Sequence, residues 1–182
     1  MLYIKFTITE LEKFKDFKVV YNHMDAFRIG EYEEEKLEID WETATEEEID
    51  AYFDEDRPKR KLFATLFPEY AKQFLERYFS LENAKSQLIN EYNLSLLNYL
   101  EDGFEVNLDS LEKTENNKGI VKFSTGNYPF GGIDRFLMTL KAFDLQPTEC
   151  FGGFDVFEFN WTSDFEYEAQ ILEEKTKLYL KR

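Results

Sequence analysis

Residues 147–161 read PTECFGGFDVFEFNW, two aromatic-rich runs on either side of Gly152-Gly153. Strand-forming residues flanking a glycine pair predict a β-hairpin with a two-residue turn. A hairpin pairs its strands antiparallel, so this stretch sets the fold class for its surroundings. Just downstream, DFEYEAQI alternates Phe165, Tyr167, Ala169 and Ile171 with acids and Gln170, the period of a half-buried strand. Upstream, FEVNLDSL and GIVKFST read as two more strands around EKTENNKG, whose Asn-Asn-Lys-Gly end is turn chemistry.

Further out, LYIKFTIT places Leu2, Ile4, Phe6 and Ile8 on one face and Tyr3, Lys5, Thr7 and Thr9 on the other. EKLEIDW repeats the pattern, with Leu37, Ile39 and Trp41 inward. Between these two, ELEKFKDFKVVYN fits helix or strand, and the choice stays open. TATEEEIDAYFDE reads as a short helix, because Thr45 and Glu48 have the spacing of a capping box.

In FPEYAKQFLERYF, Pro68 suits a first helical turn, and Phe67, Tyr70, Ala71, Phe74, Leu75, Tyr78 and Phe79 form one apolar stripe. Ser80 is the expected cap of a further helix running to Gly103. A last core helix is expected over 132–143, with Ile133, Phe136, Leu137, Leu140 and Phe143 buried and Asp134, Arg135, Thr139 and Lys141 off that stripe. The tail, LEEKTKLYLKR, is charged and amphipathic.

Short turns between strands and clustered helices imply an α+β fold. The expectation is a mainly antiparallel sheet of about five to seven strands with a helical cluster packed on one face. The 182 residues fit a single domain spanning 1–182, with DEDRPKRK at 54–61 as the one candidate internal linker.

Charge is the dominant global feature. Lys and Arg number 22 against 38 Asp and Glu, a formal net charge of −16. Such a surface repels nucleic-acid phosphates and anionic lipid, and attracts a basic protein. The same charge also serves solubility without any partner. The only cysteine, Cys150, excludes an internal disulfide and suits a reducing compartment. With no secretory pattern at the N-terminus and no apolar run long enough to span a bilayer, the expected location is the cytoplasm.

No motif names a reaction or a cofactor. From Gly126, GNYPFG has the glycine spacing of a phosphate-binding loop. Gly132 and Ile133 then stand where its lysine and hydroxyl belong. The structural reading of this loop is a stiff turn into the core helix. The functional reading is a small-molecule cleft near 126–135, lined by Tyr128, Phe130 and Arg135, with Trp161 as a further wall and His23 or an unidentified carboxylate as acid–base group.

His23 is the only histidine, which excludes a histidine-based zinc cluster, and no calcium-loop spacing occurs. Cys150 lies within a predicted strand, where an inert buried thiol is expected. The basic cluster RPKRK adjoins acids that neutralise it.

The acid runs support the main functional expectation, a non-catalytic module that binds a basic protein partner. Glu31, Glu33 and Glu35 in the first run, with Glu46, Glu47 and Glu48 in the second, are the candidate contacts. In bulk composition the chain is similar to bacterial immunity proteins that block nuclease toxins, an analogy resting on no shared motif.

Overall fold

The central strand of the molecule is the first one in the chain. In the computed structural model, which describes residues 1–30, 39–52, 64–86, 107–115, 117–124 and 133–181, β1 spans Leu2–Ile8. Helix α1 (Leu11–Arg28) follows, then α2 (Glu46–Tyr52) and α3 (Glu69–Ser86). The β2–β3 hairpin (Asn107–Lys113, Lys118–Ser124) leads to α4 (Ile133–Ala142). Strands β4 (Leu145–Phe151), β5 (Val156–Trp161) and β6 (Tyr167–Ile171) precede α5 (Glu173–Leu180). The six strands form one sheet in the order β2-β3-β1-β4-β5-β6, with every neighbouring pair antiparallel. The fold is therefore α+β.

The inner face of the sheet carries the main core. Ile4, Phe6 and Ile8 of β1, Val121 and Phe123 of β3, and Leu145 and Cys150 of β4 pack with residues of α1, α3 and α4. Phe6, Phe17, Phe67, Phe123, Phe136 and Phe143 are fully buried. Each such side chain contributes about 1.5–3 kcal/mol of burial free energy. The open reading of residues 10–22 resolves as helix, because Phe14, Phe17, Val20, Tyr21 and Met24 fall on one side at three- and four-residue steps. The stripe in α3 forms as expected, with Phe67, Ala71, Leu75 and Phe79 buried. The capping box at α2 also forms: the Glu48 amide donates to Thr45 Oγ1 at 3.3 Å and the Thr45 amide to Glu48 Oε2 at 2.8 Å.

A smaller cluster lies on the opposite, outer face. There Tyr3, Phe151 and Val156 meet Leu172 and Tyr179, so α5 covers one part of the face that α1, α3 and α4 leave open. The Tyr179 ring sits 4.5 Å from Phe151 and 5.3 Å from Tyr3, centroid to centroid. A β-bulge sorts β4 between the two faces. Phe6 pairs with Pro147, yet Lys5 pairs with Glu149, so Thr148 is the extra residue. Leu145 and Cys150 thereby both reach the inner core, while Glu149 and Phe151 turn outward.

Several expectations are corrected. The glycine pair sits in a four-residue loop, 152–155, because Val156 rather than Phe154 pairs with Phe151 and completes the outer cluster. Gly153 takes φ 111° there and Phe154 projects into solvent. Trp41 does not point inward. It stands exposed in a turn where Asp40 accepts from the Glu42 amide and the Thr43 hydroxyl, ending any extended run. Ser80 lies inside α3, which runs on without a break.

Thr139 and Lys141 are buried rather than off the stripe, since α4 is packed on more than one side. After α4, Asp144 adopts φ 52° and turns the chain into β4, its carbonyl accepting from Thr9 Oγ1 and its carboxylate pairing with Lys13. The expected linker at 54–61 lies outside the described residues.

Gly119 opposes Phe6 across the β1–β3 ladder, and a Cβ placed there would overlap the Phe6 ring. Gly119→Ala should therefore destabilise the chain by about 1–3 kcal/mol, the usual cost of forcing extra volume against a packed side chain. Chemical denaturation checks this; an unchanged midpoint would show that Phe6 can move aside freely.

Candidate functional site

Glu149 is the most constrained ionisable group on the outer face. Its side chain is 10% exposed, against 48% for Lys5 and 58% for Lys175. Oε1 accepts from the Tyr3 hydroxyl at 2.8 Å and from Lys5 Nζ at 2.6 Å, while Oε2 accepts from Lys175 Nζ at 2.6 Å. Burial pushes this carboxyl up, but the donors from Lys175, Lys5 and Tyr3 outweigh it and hold it at about 2. The network ties β1, β4 and α5 together around one buried carboxylate.

Beside it the sheet face forms a groove of about 500 Å³, walled by β1, β3, β4, β5 and α5. Lys5, Lys118 and Lys175 line it together with Thr7, Thr114, Thr148 and Glu158. Strand order creates this meeting, since Lys118 lies opposite Thr7 and Glu158 lies opposite Glu149. In a chain of net charge −16, three lysines in one groove are a local reversal of sign.

A buried lysine, Lys141, caps the β5–β6 turn. Lys141 Nζ sits 3.7 Å from the Trp161 ring centroid and donates to the carbonyls of Ser163 and Asp164. Burial lowers its pKa to about 8, with Asp164 acting in the opposite direction. The Trp161 indole N–H is itself spent on the Pro147 carbonyl at 2.8 Å. Lys141 thus holds a turn in place through two carbonyls and a ring.

The sequence candidates scatter over this framework. Trp161 closes β5, and Arg135 is exposed in the first turn of α4. Tyr167 packs 5.0 Å from Trp161 and donates to Asp134 at 2.8 Å, which ties the end of β5 to the start of α4. His23 lies on α1, away from the lining of the groove. Tyr128 and Phe130 lie outside the described residues, as do Glu31, Glu33 and Glu35. Glu46, Glu47 and Glu48 form the exposed first turn of α2. Cys150 is buried, and desolvation pushes its thiol up to about 12, so it stays protonated and inert.

Sequence reasoning missed two features. One is the groove, whose lysines are far apart in the chain. The other is the edge of the sheet. From Asp155 to Glu174 the chain carries Asp155, Glu158, Asp164, Glu166, Glu168, Glu173 and Glu174 with no Lys or Arg. This interval builds β5 and β6, and among the described residues β6 has a strand neighbour on one side only. Glu166 and Glu168 are exposed, and among the described residues neither they, Asp155 nor Glu158 has an ion-pair partner. Counting cations as well as acids along the chain would have found it. Among the described residues no three His, Cys, Asp or Glu side chains converge as a metal site, and no helix is long and apolar enough to cross a membrane.

Comparison with models of known protein families, with curated proteins and with solved structures finds no match to this chain.

The folded pKa of Glu149 is depressed from its ordinary 4.5. Its contribution is therefore complete above that value and lost as pH falls toward 2. With both lysines half in water, that contribution is about 1–2 kcal/mol. Glu149→Gln should lose it at neutral pH and flatten the acid limb of the stability curve; an acid limb of unchanged slope would assign that limb to other carboxylates.

Loss of the Lys141 proton near pH 8 should alter Trp161 emission, since an ammonium lies over the indole. Lys141→Met should abolish that transition, and flat wild-type emission across this range would mean the ring holds the ammonium charged.

Proposed function

We infer that the protein is a non-catalytic binding module for a basic protein partner, engaged along the β5–β6 edge. The acidic interval from Asp155 to Glu174 is the observation that carries this reading. An edge strand presents unused backbone donors and acceptors, to which an extended segment can add as a further strand. Carboxylates along such an edge repel a second copy of this chain and favour a segment rich in Lys and Arg. On the outer face, Glu158 opposes Gln170 and Glu168 opposes Asn160, a polar strip facing a bound strand's side chains.

Opposite charges raise the encounter rate and make association salt-sensitive. The exposed acids of α2 add to the same long-range field. An inhibitor-like or immunity-like role, in which the module covers a basic protein's functional surface, follows from this chemistry. The single buried cysteine is consistent with work in a reducing compartment such as the cytoplasm.

The test compares wild type with a Glu158→Gln, Glu166→Gln, Glu168→Gln variant as baits at low salt. A basic protein should be retained by the wild type, released by salt and retained poorly by the variant. Its binding should also slow amide exchange in Tyr167–Ile171. Equal retention by both baits, or unchanged exchange in β6, would refute the assignment of the edge.

A further inference from the structure

We propose that the outer-face groove binds a small phosphoryl-bearing anion through Lys5, Lys118 and Lys175. The site uses no backbone group of the β6 edge and shares only Glu158 with the acidic interval. Lys5 and Lys175 each give one N–H to Glu149, at 2.6 Å in both cases, and an ammonium has three. Glu149 therefore fixes both side chains without exhausting their donors. Much of the rotamer entropy that a free lysine would lose on binding is already lost here.

Lys118 completes the set. It lies on β3, diagonal to Lys5, because Lys5 pairs with Ile120 and Thr7 with Lys118. Diagonal neighbours on one sheet face are about 7–8 Å apart, a span that one oxyanion between two long side chains can bridge. Among the described residues Lys118 has no carboxylate partner, and the Thr7 and Thr114 hydroxyls line the same wall. Glu158 faces Glu149 across the β4–β5 ladder and repels an anion from that end. The anion is accordingly placed toward Thr7, Lys118 and the free donors of Lys5.

Point-charge ammoniums from three elements suit a tetrahedral phosphoryl group better than a planar carboxylate, which a guanidinium fork would match. A groove of about 500 Å³ fits free phosphate or a small phosphate ester. The chain's net charge of −16 excludes a polyphosphate backbone such as a nucleic acid.

Calorimetric titration of the full chain with inorganic phosphate, with glycerol phosphate, and with chloride at equal ionic strength tests the proposal. Saturable heat with a phosphate probe and none with chloride is expected. Tighter binding of glycerol phosphate would identify an ester as the ligand, and equal or tighter binding of inorganic phosphate would identify the free anion. Lys118→Gln should weaken binding roughly tenfold, the worth of one charged hydrogen bond. Lys118→Arg should retain most of it. Lys177→Gln, on the exposed side of α5 and paired with Glu174, should leave it unchanged. No saturable heat from either phosphate probe, an equal response to chloride, or full affinity in Lys118→Gln would overturn the site.

Discussion

The extra residue in β4 decides which side chains share a layer. Without the bulge at Thr148, strict alternation after Leu145 and Pro147 would aim Glu149 into a core of phenylalanines. A carboxylate there has no donors and would have to take up a proton or disrupt the packing. With the bulge, Cys150 fills that inner position and Glu149 meets Tyr3, Lys5 and Lys175 outside. Phe151 is carried outward by the same step, giving Tyr179 its ring to pack against. One added residue therefore permits both the inner core and the docking of the last helix.

This arrangement divides the molecule into an apolar side and an electrostatic side. The inner face depends on aromatic volume, as the Phe17–Phe143 and Phe67–Phe143 contacts at 5.6 and 5.7 Å illustrate. Among the described residues only α5 packs on the outer face, and the area beside it holds the mixed lysine–glutamate groove. Charge thus varies more across the sheet than the total of −16 suggests. An acidic edge and a lysine-lined groove meet on one sheet at Glu158 of β5, which belongs to both.

Much of the secondary structure was legible, because period-two and period-3.6 patterns are local properties. β1, the β2–β3 pair, α3 and α4 follow directly from their apolar spacing, and the antiparallel α+β class follows from the turns. Residues 10–22 fit either period because lysines interleave with apolar residues there, although Phe14, Phe17 and Tyr21 keep helical register. Trp41 misled because alternation continues to the very residue where Asp40 forms its turn. The hairpin loop is longer than its glycine pair implies, because such a pair signals a turn without fixing the number of residues in it.

Strand order, the bulge and the groove were not legible, since each depends on pairings between distant segments. Of the expected cleft residues, Trp161 ends β5 and Arg135 lies in the first turn of α4, while Tyr128 and Phe130 lie outside the described residues. His23 sits on α1, and most of the loop expected to form its cleft lies outside the described residues.

Placing β1 at the centre of the sheet has a consequence for how the chain acquires its structure. Its two neighbours lie far downstream, and the Tyr3–Glu149 hydrogen bond closes a separation of 146 residues. Until β3 and β4 exist, LYIKFTI has neither edge paired and its apolar side chains have no sheet to join. Such topology places this protein among slow folders, since loop-closure entropy is lost before the long-range contacts return stability. A strand waiting with both edges open is also the segment most exposed to mispairing with other chains. The alternating Lys5 and Thr7 on its outer side, useful later at the groove, limit that exposure while the partners are still being made.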